Sequence, residues 1–342
     1  MIENNPTVPL SATSLPKTGP KPLFSELEIG KCIQASWIAD DGTLYASSHN
    51  TICKSTNEGV TWAELKTFNS ISLDSVFVNS QGYVFVSPGL GAKESDSGLW
   101  RSTTAGRTWT KVLSLPLFCS IWGMDEDCNR TLFACVYTRD KIKNARIYRS
   151  ADSGASWVPI YYDSNARHMH HVVVDKSNNN IYATVGDKFV PQSHIAYVLC
   201  SVDGGDNWNR ILPRIPQIFA IAAVPGARLF GTDDITNGEM FRSTDDAAFN
   251  KVLDTGAQSY CFWIRRDDVT GRIYASFVGG EAAKRTAGIY VSDNEGLNWN
   301  LYRSFKTALA YEGSSRATNF VRGMMYYSLR LDGRRKNGVK IF

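Results

Sequence analysis

SADSGASW occupies residues 150–157. The chain writes nearly the same eight letters as SVDGGDNW at 201–208 and as SDNEGLNW at 292–299. Looser copies, STNEGVTW and STTAGRTW, begin at Ser55 and Ser102, and a degenerate STDDAAF begins at Ser243. The six serines lie 47, 48, 51, 42 and 49 residues apart. A repeat of this period signals a propeller or a solenoid and has to be settled before any isolated residue is interpreted.

Each copy sits between β-like runs. Just upstream is a short apolar segment such as Leu99-Trp100 or Ile147-Tyr148. About ten residues earlier stands another: TLYAS, YVFVS, TLFAC, NIYAT, RLFGT or RIYAS. A third run precedes it: SWIAD, SVFVN, SIWGMD, HVVVD, FAIAAV or CFWIRRD. The segment after each Trp supplies a fourth. Aromatic and β-branched enrichment between turn residues predicts strands, and four antiparallel strands per period predict a propeller blade. No amphipathic helix pattern stands out. The eight letters then form the hairpin between third and fourth strands. The acids Asp152 and Asp203 suit an Asx-type turn. Gly154, Gly205 and Gly296 suit a left-handed backbone, and Trp157, Trp208 and Trp299 suit a cover over the hairpin.

The spelling resembles the Asp-box, or BNR repeat, S-x-D-x-G-x-x-W, of sialidases, the sortilin family, xyloglucanases and photosystem assembly factors. The resemblance covers about 34–302. Asn57, Thr104 and Asn294 replace the acid, and Ala247 and Phe249 replace Gly and Trp. It implies that the motif is a folding element remote from the ligand face. The expected fold is all-β: a seven-bladed propeller of four-stranded antiparallel blades, with six blades as the alternative. After the last motif, NFVRG, MMYYSLRL and GVKIF read as first, second and third strands. FSELEIG (24–30) would supply the fourth and close the ring, since an unclosed ring leaves bare strand edges. Residues 1–21, rich in Pro, Ser, Thr and Asn, read as an extended arm, and 22–342 as one propeller domain.

The 342 residues are 43% hydrophobic and 20% charged, with a net charge of +4. That suits a large core, and without a Lys/Arg run it gives nucleic-acid binding no electrostatic support. No apolar run approaches the roughly 18 residues needed to span a bilayer. The N-terminus lacks the basic and apolar regions of a signal peptide, which points to a virion component, a cytoplasmic protein or non-classical export. Seven cysteines without a CxxC pair read as small buried hydrophobes rather than a disulfide or zinc scaffold. Neither a metal nor another cofactor is expected.

In a propeller a site belongs at one mouth of the central channel. The long loops between second and third strands, such as YTRDKIKNAR and GDKFVPQSH, suggest binding. The stretch ARHMHHVVVD (166–175) holds three of the five histidines. His168 and His170, two apart on a strand, would share a face, with His171 opposite. Arg167, His168, His170, Asp187 and His194 form the candidate ligand cluster, and His168, His170 and Asp187 are the catalytic candidates. They would act as base, metal support or sugar contacts; alternatively, the histidines only hydrogen-bond loop backbone. Trp122 and Trp263 are candidate sugar platforms, or else pack between blades.

The resemblance also allows a sialidase, but no arginine precedes Arg101, and Arg214-Ile215-Pro216 falls mid-chain. The three-arginine carboxylate clamp is therefore not legible. The reading favoured by the sequence is a non-catalytic binding or assembly propeller for a glycan or a protein partner, such as a phage tail or decoration protein whose N-terminal arm docks. The alternative is a polysaccharide lyase or glycoside hydrolase with its site at the channel mouth.

Overall fold

The computed structural model describes residues 35–341 except 90, 139–143, 187–195, 213–216, 234–236, 257, 280–285, 307–312, 318, 320, 323–324 and 332–333. Six antiparallel sheets of four strands follow one another along the chain. In the first, Ser36–Ile38, Leu44–Ser48, Thr51–Ser55 and Ala63–Thr67 lie side by side in chain order. The next five cover 73–114, 119–163, 168–212, 218–254 and 259–306. A three-stranded sheet follows, made of Gly313–Ala317, Met325–Leu331 and Arg334–Ile341. The protein is an all-β propeller.

Six four-stranded blades is the count of the alternative expectation. The segment assigned to close a seventh, 24–30, and the arm 1–21 lie outside the described residues. One strand expectation needs correction. NFVRG (319–323) is not the first strand of the last sheet; Gly313–Ala317 is, with Ala317 opposite Tyr327. Asn319 has a different task. Its Oδ1 accepts the Ile38 N–H at 2.8 Å, and its Nδ2 donates to the Ile38 carbonyl at 2.9 Å. Val321 packs with Ile38, Leu44 and Ala46. The last sheet is thereby fastened to the first, and consecutive innermost strands pack in an unbroken ring.

Burial grades outward within each blade. Leu73–Val78 and Val84–Pro88 are buried throughout, whereas the outermost strands, such as Ala63–Thr67, stay largely exposed. Strands covered on both faces read as continuous apolar runs, which is why the inner pair lacks clean alternation. The core lies between blades. Phe133, Ile147, Met169, Val172, Ile181 and Leu199 form one such seam. Five of the six described cysteines are buried free thiols inside these seams, and only Cys128 is exposed.

The eight-letter segments are the hairpins between third and fourth strands. At 150–157, Ser150 Oγ donates to Asp152 Oδ1 at 2.7 Å and accepts the Gly154 N–H at 2.8 Å. The same carboxylate accepts N–H groups of Ala155 and Ser156 and the Ser156 hydroxyl. Gly154 stands at φ +83°, and a Cβ there would lie 2.3 Å from Phe85 of the preceding blade. Gly205 meets Ile160 of its preceding blade in the same way, at 2.5 Å. Trp62, Trp109, Trp208 and Trp299 each donate Nε1–H to the carbonyl of the motif glycine. Trp157 Nε1 is buried without a partner, and its ring meets Phe85 edge-on at 6.3 Å. A basic residue before the serine adds a further link: Lys54, Arg149 and Arg242 each bond a carbonyl in the next blade's turn.

Burial pushes the Asp152 carboxyl up, but the Ser156, Ser150 and Ala155 donors outweigh it and hold it down at about 2, below its ordinary 3.8. The Asn207 N–H and side chain, with Ser201, hold Asp203 at about 2 as well. A depressed carboxylate stabilises the fold above its unfolded value and loses that contribution as pH falls through its folded value. Asp152→Ala therefore lowers the melting temperature by a few degrees at pH 7. The gap to wild type narrows as thermal melts are run from pH 4 toward pH 2; a gap that stays constant over this range refutes the assignment.

Candidate functional site

The first strands of the six four-stranded blades face the central axis and, with Asn319, wall one channel. Its cavity measures about 340 Å³. The wall is built mostly from the later residues of these strands: Trp122 to Asp125, His171 to Val174, Ile221 to Ala223 and Phe262 to Arg266. Trp37, Asp74, Phe77, Lys176 and Asn319 are also part of it. Two antiparallel reversals separate the end of the first strand from the end of the third. The later half of the channel therefore opens on the same face as the eight-letter turns.

Charges concentrate there. Asp125 Oδ2 accepts the Val174 N–H at 2.7 Å, and its Oδ1 takes Lys176 Nζ at 2.7 Å. Lys176 also donates to the Glu126 carbonyl. Glu126 in turn accepts the N–H and hydroxyl of Ser80. Three blades are tied together by these contacts. Arg265 donates Nη1–H to the Ile264 carbonyl at 3.0 Å. Burial pushes its guanidinium down to about 10, against the opposing attraction of Asp125. Asp74 is buried, accepting hydroxyls of Ser72 at 3.2 Å and Ser120 at 2.8 Å.

The histidines sit differently from the expected cluster. His168 and His170 are 0% and 1% exposed, and neither lines the cavity. A bulge between Met169 and His171 leaves His170 without a ladder partner. It turns His171 to the cavity wall and sets His168 and His170 together between blades. His168 Nδ1 lies 2.6 Å from the Thr138 carbonyl, so that nitrogen carries a proton. Its Nε2 lies 3.0 Å from His170 Nε2, so in the neutral pair His170 donates and His168 accepts. His170 Nδ1 stands 3.5 Å from the Ile218 carbonyl. The pair thus reaches from the third blade to the fifth. Tyr137 stacks on His168 at 4.0 Å, and Phe219 lies 4.4 Å from His170. His168 thus donates to a backbone carbonyl of the third blade.

Arg167 is half-buried, and its carbonyl accepts the Asn144 N–H at 2.9 Å. Asp187 and His194 lie outside the described residues. Trp122 is half-buried on the cavity wall, edge-on to Phe219 at 6.0 Å. Trp263 is 2% exposed and packs with Ile289 and Met325 between blades. No group of three or more metal-ligating side chains occurs among the described residues, and no helix there is long and apolar enough to cross a membrane. The Asp125–Lys176–Arg265 group was missed as a set. Its only trace in the sequence is the recurrence of charged residues at the ends of first strands, in GMDED, VVDK and IRRD.

No family model matches the chain. Xyloglucanase Xgh74A of Acetivibrio thermocellus is 31% identical over 114 residues. That stretch is 28% of this chain, and the chain spans 13% of that protein's length. Among solved structures, a GH74 xyloglucanase from Xanthomonas campestris superposes with TM-score 0.64 at 14% identity, over 89% of this chain and 52% of that one. YCF48 from Cyanidioschyzon merolae gives 0.58 at 15%, over 92% and 95%. Virginiamycin B lyase from Staphylococcus aureus gives 0.62 at 14%, over 92% and 96%. These neighbours are β-propellers, and the likeness is one of fold.

Gly186 makes room for the histidine pair. A Cβ there would fall 2.3 Å from His170 Cε1 and 2.9 Å from both ring nitrogens. Gly186→Ala should displace the ring and cost about 1–3 kcal/mol, measured by urea unfolding. Wild-type stability in that variant would show that the pair does not wedge the blades.

Proposed function

We propose that the chain is a binding propeller whose central cavity receives a carbohydrate-class ligand. The observation that carries this reading is the cavity wall itself. Half-buried Trp37, Trp122 and Phe262 stand beside His171 and the polar set Asp125, Lys176 and Arg265. Aromatic faces next to hydrogen-bonding groups suit a sugar ring, apolar on one face and hydroxylated at its edge. The two buried histidines are structural in this reading, and a role in assembly would fall to the N-terminal arm. A protein partner docked over the same mouth is compatible with it.

A second reading, a carbohydrate-active enzyme, draws on the 114-residue similarity to a xyloglucanase. Asp125 is its best-placed acid, but Lys176 and the Val174 N–H occupy both oxygens. Of the two readings, binding without turnover is the better supported. The full chain, titrated with a panel of neutral and acidic polysaccharides, should quench or shift tryptophan fluorescence while releasing neither reducing ends nor unsaturated, ultraviolet-absorbing products. Release of either would replace the binding reading with the enzymatic one.

We also infer that 24–30 supplies the fourth strand of the last sheet and makes it a seventh blade. Among the described residues Arg334–Ile341 is the outer strand of a three-stranded sheet, which motivates this, as does the likeness of FSELEIG to WAELKTF, which starts at the Trp of the first motif. Deleting 24–30 should lower the melting temperature sharply, whereas deleting 1–21 should not. Equal melting of the two truncations would refute the closure.

A further inference from the structure

The innermost strands share one irregularity. In five blades a bulge takes a single residue out of the ladder: Asp74, Trp122, His170, Phe219 and Phe262. Pairing resumes at the same rung of the second strand each time, opposite Ser87, Cys135, Thr184, Gly231 and Ser276. A bulge re-aims the side chain it carries. Four of these five are aromatic, and their rings meet. Phe219 lies 4.4 Å from His170, 4.8 Å from Phe262 and 6.0 Å from Trp122. Trp122 stands on the third blade and Phe219 on the fifth, which are not neighbours. Their contact therefore reaches across the axial space. The cavity starts at this level. On all five strands its described wall is drawn from the bulged residue or from those after it. The residues just before, Leu73, Ile121, Met169, Ile218 and Cys261, are at most 3% exposed. At the other end of the wall the Lys176 side chain is 54% exposed.

We propose that the cavity is a pocket floored by the bulged residues and entered from the face of the eight-letter turns, and that it receives the end of a sugar chain. This rests on the carbohydrate-binding reading above and names the part of the polymer that is recognised. An interior sugar, continued on both sides, can lie over the mouth but cannot enter a pocket with a floor. A terminal sugar can. Trp122 and Phe262 belong to floor and wall alike and are half-buried, so the terminal ring packs against them. Phe219 and His170, 5% and 1% exposed, lie behind and hold them in place. At about 340 Å³ the cavity is small among ligand sites, which span roughly 300–1,000 Å³. That suits a chain end better than a long stretch of polymer.

The test is calorimetric titration and sedimentation of the full chain with unbranched glucans, xylans and galacturonans. Each is used as a tetrasaccharide and as a long soluble polymer. In the series that binds, both lengths should bind equally well per mole of chains, with one protein on each chain. Per mole of sugar the polymer should then be weaker in proportion to its length. A cyclic glucan has no end and should bind about tenfold more weakly, or worse, than the linear glucan of the same linkage. Ala223 is a half-buried wall residue of the fifth blade. Ala223→Phe should fill the cavity and lower affinity about tenfold or more while the melting temperature holds. Trp122→Ala should lower it to a similar degree, as loss of a central aromatic anchor does. Should Ala223→Phe fail to fold, the number of proteins per chain and the cyclic glucan, both with wild type, decide the matter.

Several proteins on one polymer chain, or equal binding of cyclic and linear glucan, overturns the chain-end assignment and leaves the carbohydrate reading intact. Wild-type affinity in a folded Ala223→Phe puts the sugar outside the cavity and overturns the pocket. Binding of none of the three series overturns both the chain-end assignment and the carbohydrate reading.

Discussion

The hydrogen bond from a glycine N–H to a serine hydroxyl, four residues back, holds the rim of this protein together. In the 150–157 turn it locks Gly154 in a left-handed conformation and brings that bare Cα onto Phe85. Any side chain there would strike Phe85, and most would also strain the backbone. The bond therefore does two things at once. It closes a hairpin within one blade and opens a socket for the blade before it. Phe85 is fully buried, and the Trp157 ring meets it at 90°, a geometry that adds to simple area burial. Repeated along the chain, such joints set the angle between neighbouring sheets, and that angle decides whether the ring can close.

Closure then dictates the interior. Seven first strands converge on one axis, and they cannot all meet, so a cavity remains. Because both faces of these strands are covered, most wall residues are apolar. Polar residues survive where a strand ends and water or another blade is within reach. Asp125, Lys176 and Arg265 lie there for that reason. Their bonds also serve the ring: Asp125 reaches the fourth blade and Glu126 the second.

The periodic part of the structure was legible in the sequence because each blade repeats one physical problem. Six turns, their strands and their order along the chain could be read from the spacing of Ser, Gly and Trp. The site was less legible, and the histidines show why. Period-two alternation places His168 and His170 on one face, which is correct, but a bulge at His170 decides which face meets the cavity. A bulge is set by the neighbouring strand and by Gly186, whose missing Cβ admits the ring; nothing in HMHH announces it. Asn319 was hidden for a related reason. NFVRG has the composition of a strand, yet Asn319 bonds both backbone groups of Ile38, 281 residues away, a contact that exists only once the ring is closed.

The degenerate fifth turn separates what the motif does from how it is spelled. STDDAAF is one residue short and lacks the glycine and the tryptophan. Asp246 takes the left-handed position, at φ 60°, and its N–H reaches Ser243 Oγ at 2.9 Å. No bare Cα is available to receive an apolar knob, and the joint changes its chemistry. Asp246 accepts the Tyr182 hydroxyl of the preceding blade at 2.7 Å and pairs with Arg228 of its own at 2.7 Å. Burial and Asp246 push the Tyr182 phenol up, which keeps it a donor. An apolar socket and a buried polar clasp thus occupy equivalent places and both hold two blades together. What is preserved around the rim is the joint. Specificity for a ligand has to come from residues that do not repeat, and in this ring those stand on the axis, at the ends of the innermost strands.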